Sequence, residues 1–280
     1  PYGYTVRNYS GSIVQETSHA SLQQQAEIGN RYPIPWSSLG YYCDFPKPDD
    51  LDNTKLRPKR FLCWNRTMNR PHRIGLAYLA IKHDLLKDNL FSFLQGVDRD
   101  HNQQLTSLVE ETPDAIQLYI DKIVSMLPHE IDTQSLTPEG KEGFQTNENN
   151  KKEYYADTYL HIISETLFDA NSSPFMSEKT FRPILNLQPF IYVGNYRGLE
   201  ELRRLGFKTF DWLFDESFDS LLNPVDRHEI ILNNIKKYKN NYELLETLIR
   251  NNMDSLIHNH NHVKNLNIEQ ELCKNLRNVE

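Results

Sequence analysis

Cysteine is scarce in this chain: three residues, Cys43, Cys63 and Cys273, are spread over 280 positions with no Cys-x-x-Cys pair. That spacing excludes a disulfide-stapled scaffold, offers no zinc knuckle, and fits a reducing compartment. Glycine is also sparse, with 11 residues, none set as G-x-x-x-x-G-K-[ST] or G-x-G-x-x-G. A nucleotide-binding phosphotransferase built on either fingerprint has no motif to stand on. No apolar run approaches the roughly 20 residues that span a bilayer, and the polar start Pro1-Tyr2-Gly3 is not expected to act as a signal peptide. Basic charge is not in excess, since 38 acidic against 31 basic residues leave a net charge of −7. A broad nucleic-acid or membrane footprint is therefore unexpected, and any phosphate site has to be local. Internal repeats are absent as well. Sequons occur at Asn8, Asn65 and Asn171, and the second and third lie beside the stretches that carry chemistry, where an attached glycan would obstruct them. A cytoplasmic location is expected.

What remains is an ordinary globular composition, 38% hydrophobic and 25% charged, with material for one large or two small domains. Strand-like and helix-like patterns alternate from about 59 to 240, which predicts an α/β fold with a mainly parallel sheet and helices on both faces. The expected strands are Lys59–Trp64, Asn89–Leu94, Tyr159–Glu165, Pro189–Val193 and, shorter, Phe207–Phe210. Helical spacing marks Pro71 to about His83, Gln103 to Leu127 with Pro113 dividing it, Asn195 to about Leu205, and residues 225 to about 276. Residues 128–150 lose apolar periodicity and predict a long loop near the site.

The central stretch runs from Ser177 to Gly194. Ser177 is a good N-cap, and Glu178, Lys179 and Arg182 are expected in the opening of a short helix, where free backbone N–H groups favour an anion. The following run Pro189-Phe190-Ile191-Tyr192-Val193-Gly194 has the pattern of a buried parallel strand whose carboxyl end faces a crevice. A second basic stretch, Arg66, Arg70, His72 and Arg73, falls between a strand end and the Pro71 helix start, the arrangement that holds diphosphates in doubly wound folds. Glu165 adds a carboxylate at a strand end.

These stretches resemble the donor-binding motif of fucosyltransferase-like and exostosin-like glycosyltransferases of the GT-B type. In that family Ser/Thr-Glu-Lys opens a helix, and a strand, an Asn and an Arg precede the first helix of the donor domain, as Asn65 and Arg66 do here. The resemblance implies Glu178 on the nucleotide ribose and Lys179 near the diphosphate. It also implies a GT-B-like, Rossmann-like donor domain over 57–240, a short N-terminal acceptor lobe over 1–56 and a C-terminal helical closure over 241–280. Similar versions occur in capsid-glycan glycosyltransferases of large DNA viruses, the chlorella viruses among them. That narrower likeness makes UDP-xylose the first donor to consider, a UDP-sugar before a GDP-sugar, an oligosaccharide or glycoprotein the acceptor, and the host cytoplasm the location.

Glycosyl transfer needs a stabilised diphosphate leaving group and a base for the acceptor hydroxyl. Arg66, Arg73, Lys179 and Arg182 are candidates for the first task without a metal or other cofactor, with Arg70, His72 and Ser177 beside them. Glu16, His19 and Asp44 in the N-terminal lobe, and Glu165, are candidates for the second. The lobe also offers Tyr2, Tyr4, Trp36, Tyr41 and Tyr42 to stack on sugar rings. Two alternatives stay open. Asp50-Leu51-Asp52 and Asp98-Arg99-Asp100 have the Asp-x-Asp form of metal-dependent GT-A enzymes, and a non-catalytic sugar-binding module would account for the aromatics but not for the cations.

Overall fold

Lys59–Thr67 forms strand β1 and Pro71–Lys82 forms helix α1, with Pro71 at the helix's first position. A proline there loses nothing, because that N–H has no helical partner in any case. The computed structural model describes residues 56–68, 70–95, 113–127, 152–168 and 176–265. After α1 come β2 (Leu90–Gln95), α2 (Pro113–Met126), α3 (Lys152–Asp157), β3 (Thr158–Ser164), α4 (Glu178–Leu185), β4 (Phe190–Val193) and α5 (Gly198–Arg204). A 3-10 turn at Ser217–Ser220 precedes α6 (Pro224–Lys239), α7 (Tyr242–Asn251) and α8 (Met253–Asn265). Pro113 opens α2 as expected of a helix breaker; the expected helix N-terminal to it and the 128–150 loop lie outside the described residues.

The four strands make one parallel sheet in the order β2-β1-β3-β4. Leu90, Leu62, His161 and Phe190 stand in one row across it, each facing the next. Alternation then puts Cys63 on the opposite face. Right-handed crossovers that run from β1 to β2 on one side and back to β3 on the other put helices on both faces, as the alternation of elements predicts. The core between them is aromatic, with Phe61, Tyr78, Phe91, Phe93, Tyr192, Phe210, Phe218 and Tyr238 at 2% exposure or less, and each such side chain contributes about 1.5–3 kcal/mol through removal from water.

Two details of packing bear on the site. A methyl group at Gly194 or Gly198 would land on the Tyr192 ring, so the turn after β4 needs both glycines to lie this close to a buried phenol. The segment Phe207–Phe210 is not the short strand expected. Its backbone is satisfied by side chains instead: Lys208 N donates to Asn259 Oδ1, Asn259 Nδ2 returns to Lys208 O, and Phe210 N donates to Glu216 Oε1. With its hydrogen bonds spent this way it has no reason to join the sheet.

The helical tail expected from 225 breaks into α6, α7 and α8 at asparagines 240, 241 and 252. Its α8 is stapled by histidines to helix ends: His260 to Leu185 O at the end of α4, His258 to Gly206 O and His262 to Leu205 O beyond α5. Among the described residues no helix is long and apolar enough to cross a membrane.

Candidate functional site

The strand order sets the site. From β1 the chain steps to β2 on one side, then crosses to β3 on the other, so the order reverses between β1 and β3. Ligands of open α/β sheets bind at the carboxyl ends of the strands beside such a reversal. Here that place is occupied by the end of β1, the head of α1 and the residue that follows β3, Glu165.

Glu165 is fully buried and bonded from every side. Its N–H donates to Val193 O at the end of β4 (2.9 Å), and its own carbonyl accepts from His72 Nε2 (2.8 Å) and Arg73 Nη2 (3.2 Å) of α1. Its carboxylate takes Ser177 N (2.8 Å), Ser177 Oγ (2.6 Å) and Thr180 Oγ1 (2.7 Å). Ser177 is the N-cap of α4, accepting from Lys179 N, and the Lys179 ammonium rests 3.0 Å from the same oxygen. A carboxylate of the chain itself thus stands at the head of α4, where it takes the Ser177 N–H and two hydroxyls that together satisfy the buried charge.

The other cations part company. Arg66 is the penultimate residue of β1, and Arg70 is the exposed N-cap residue of α1. That helix has no side-chain cap and no acidic residue in its first turn. Arg73 is turned inward onto the β3 end, where Nη2 also approaches Ser164 O at 3.5 Å. His72, expected among the phosphate-binding cations, is buried, and burial pushes its pKa down to about 3, against the bond to Glu165 O and with the help of the nearby Arg73 and Arg70 charges. A neutral imidazole bonded to a carbonyl brings no positive charge to a phosphate. Arg182, expected in the first turn of α4, is the fifth residue of a helix only eight residues long and falls in its last turn. Glu178 itself is the first residue of α4. Asn65 is 1% exposed within β1, so folding closes the sequon there.

Sequence inspection missed two buried residues that shape this edge. Asp219, 3% exposed, places its carboxylate on the N–H groups of Leu199 and Glu200 at 2.9 and 2.8 Å and so fills the head of α5 as Glu165 fills that of α4. Burial raises its pKa, against those two bonds and the nearby Arg203 and Arg227. Arg227 of α6 is fully buried, donates Nη2 to Gly194 O, and lies 4.5 Å from the centre of the Phe168 ring. The only signal for it was the Asn223-Pro224 helix start, which does not say which arginine turns inward.

Glu16, His19 and Asp44, the aromatics of the first 42 residues, and both Asp-x-Asp triplets lie outside the described residues. Among the described residues no group of three His, Cys, Asp or Glu side chains is placed to hold a metal ion. Comparison with protein-family models, curated proteins and solved structures finds no match to this chain.

Proposed function

We propose that this chain is a glycosyltransferase of the GT-B type that moves a sugar from a nucleotide-sugar donor to a glycan hydroxyl. One observation carries the proposal: a single residue, Glu165, ties the Ser177-Glu178-Lys179 turn and the head of α1 to the same corner of the sheet, at the reversal of strand order. Open α/β sheets take nucleotides at such a corner. Because Glu165 fills the head of α4 and Asp219 that of α5, the donor diphosphate belongs at the head of α1. Arg70 meets it there, with Lys179 approaching from the side of α4. Glu178 takes the ribose, as the resemblance of the motif implies. The acceptor base comes from Glu16, His19 or Asp44. UDP-xylose is the first donor to try, and transfer proceeds with inversion and without a divalent ion, the protein's cations replacing the metal as electrophile.

The test is a thermal-shift panel of UDP, GDP and several sugar nucleotides, each with and without a chelator. A nucleotide at about 100 times its Kd adds roughly 2.7 kcal/mol of stability. A shift by one nucleotide that survives the chelator is expected, and Arg70→Ala should weaken it by fivefold or more on the order of one charge-assisted contact. No shift with any nucleotide would sink the proposal in favour of a sugar-binding module, and a shift abolished by the chelator would favour the metal-dependent alternative.

A further inference from the structure

We infer that Glu165 is a positioning residue, not the base: it sets the placement of Lys179 and the Glu178 turn against the head of α1. The assignment rests on the nucleotide-sugar site proposed above. A general base must reach a substrate proton and present a free oxygen to it. Glu165 is 0% exposed and both carboxylate oxygens already accept bonds, Oε1 from Ser177 N and Thr180 Oγ1, Oε2 from Ser177 Oγ. What the carboxylate does reach is the hydroxyl on which the Lys179 ammonium rests, so a chain of contacts runs from Glu165 through Ser177 to Lys179. Its backbone meanwhile is held by His72 and Arg73 at the start of α1 and by Val193 at the end of β4. The two halves of the donor site are thus referenced to one residue. Its methylenes act as the spacer between them.

The chemistry makes the roles separable. In Glu165→Gln the amide oxygen can occupy the Oε1 position and accept the same two bonds, but the amide nitrogen then faces Ser177 Oγ, whose two lone pairs already take Lys179 N and the Lys179 ammonium, so the contact to Lys179 loosens. The Ser177 and Thr180 bonds to Oε1 survive although the basic oxygen is lost. Glu165→Ala removes the spacer. Thr180→Val keeps side-chain shape while deleting one of the three bonds, and serves if the alanine variant does not fold.

The measurements are kcat and donor KM for each variant, nucleotide Kd, and amide hydrogen exchange at Ser177. The expected result for Glu165→Gln is kcat within about threefold of wild type with donor KM raised several-fold, and for Glu165→Ala a donor KM raised on the order of tenfold or more, since small misplacements of binding groups are costly. Thr180→Val is expected to raise KM several-fold with kcat kept, about what one weakened bond gives. A loss of kcat of about a hundredfold in Glu165→Gln, with KM unchanged, would overturn the assignment in favour of the base. Lowered Tm with KM unchanged in Glu165→Ala and Thr180→Val would overturn it in favour of a purely structural clamp. A wild-type protein that binds no nucleotide overturns the parent proposal and the donor role here together; faster exchange at Ser177 in Glu165→Ala would then still report the clamp.

Discussion

The Phe168 ring lies on the His72 imidazole, centroids 5.4 Å apart and planes 24° from parallel. Arg227 also lies 4.5 Å from the centre of the Phe168 ring, and the buried imidazole bonds Glu165 O through Nε2. The same burial acts on His161, whose ring is edged by Trp64 and Tyr155 and whose pKa is likewise lowered by burial to about 3.

Acid should therefore unfold the protein through these two rings. Each stays neutral in the native state down to about pH 3, while the unfolded chain takes up a proton near pH 6.5. Stability from this source is complete above about 6.5 and falls as the pH drops below it, by up to about 1.4 kcal/mol per pH unit for each ring. Urea unfolding at pH 7 and pH 5 checks it. His161→Phe should lose less stability between the two pH values than wild type does; equal losses would show that His161 takes no part.

The close approach of Tyr192 to Gly194 and Gly198 gives a second expectation. Gly198→Ala drives a methyl into a ring that is fully buried and cannot swing aside, at a cost of about 1–3 kcal/mol. A melting scan should show Tm lower by roughly 2–5 °C for a chain of this size. An unchanged Tm would mean the ring has room to move.

Cys63 supplies a third. It is fully buried, and burial pushes its thiol up to about 12 despite the Asn65 amide and the Arg73 charge. Thiolate, not thiol, reacts with alkylating reagents. At pH 8 native Cys63 should resist iodoacetamide and label only in urea, as read by peptide mass mapping. Fast native labelling would reveal opening of β1.

The sheet was legible because its strands carry their signal locally. Tyr159 to Ser164 and Phe190 to Val193 are unbroken apolar or β-rich runs, and Pro71 and Ser177 mark helix starts by chemistry that acts within a few residues. Phe207–Phe210 has the same apolar character, yet its backbone partners are the side chains of Glu216 and Asn259, and no local pattern announces a bond to a residue some fifty positions away. The site was half legible for the same reason. Arg70 and Lys179 stand at helix heads, as the spacing implies. His72 and Arg73 have the same residue types but turn inward, because the end of β3 presents carbonyls that need donors. A strand-end Glu looks alike in sequence whether it faces a substrate or a helix, and only the fold shows that Glu165 faces Ser177 and Thr180.

The pairing of β1 with β3 joins residues about a hundred positions apart, Lys59 opposite Thr158, in the middle of the sheet, and non-local pairing of this kind slows folding. During synthesis β1 and β2 leave the ribosome with no neighbour on their inner side, and the Glu165 corner waits on segments made later still. The Glu165 corner is therefore assembled only once α4 has been made, and a chain that stalls before β3 emerges offers its unpaired β1 edge to chaperones or to other copies of itself.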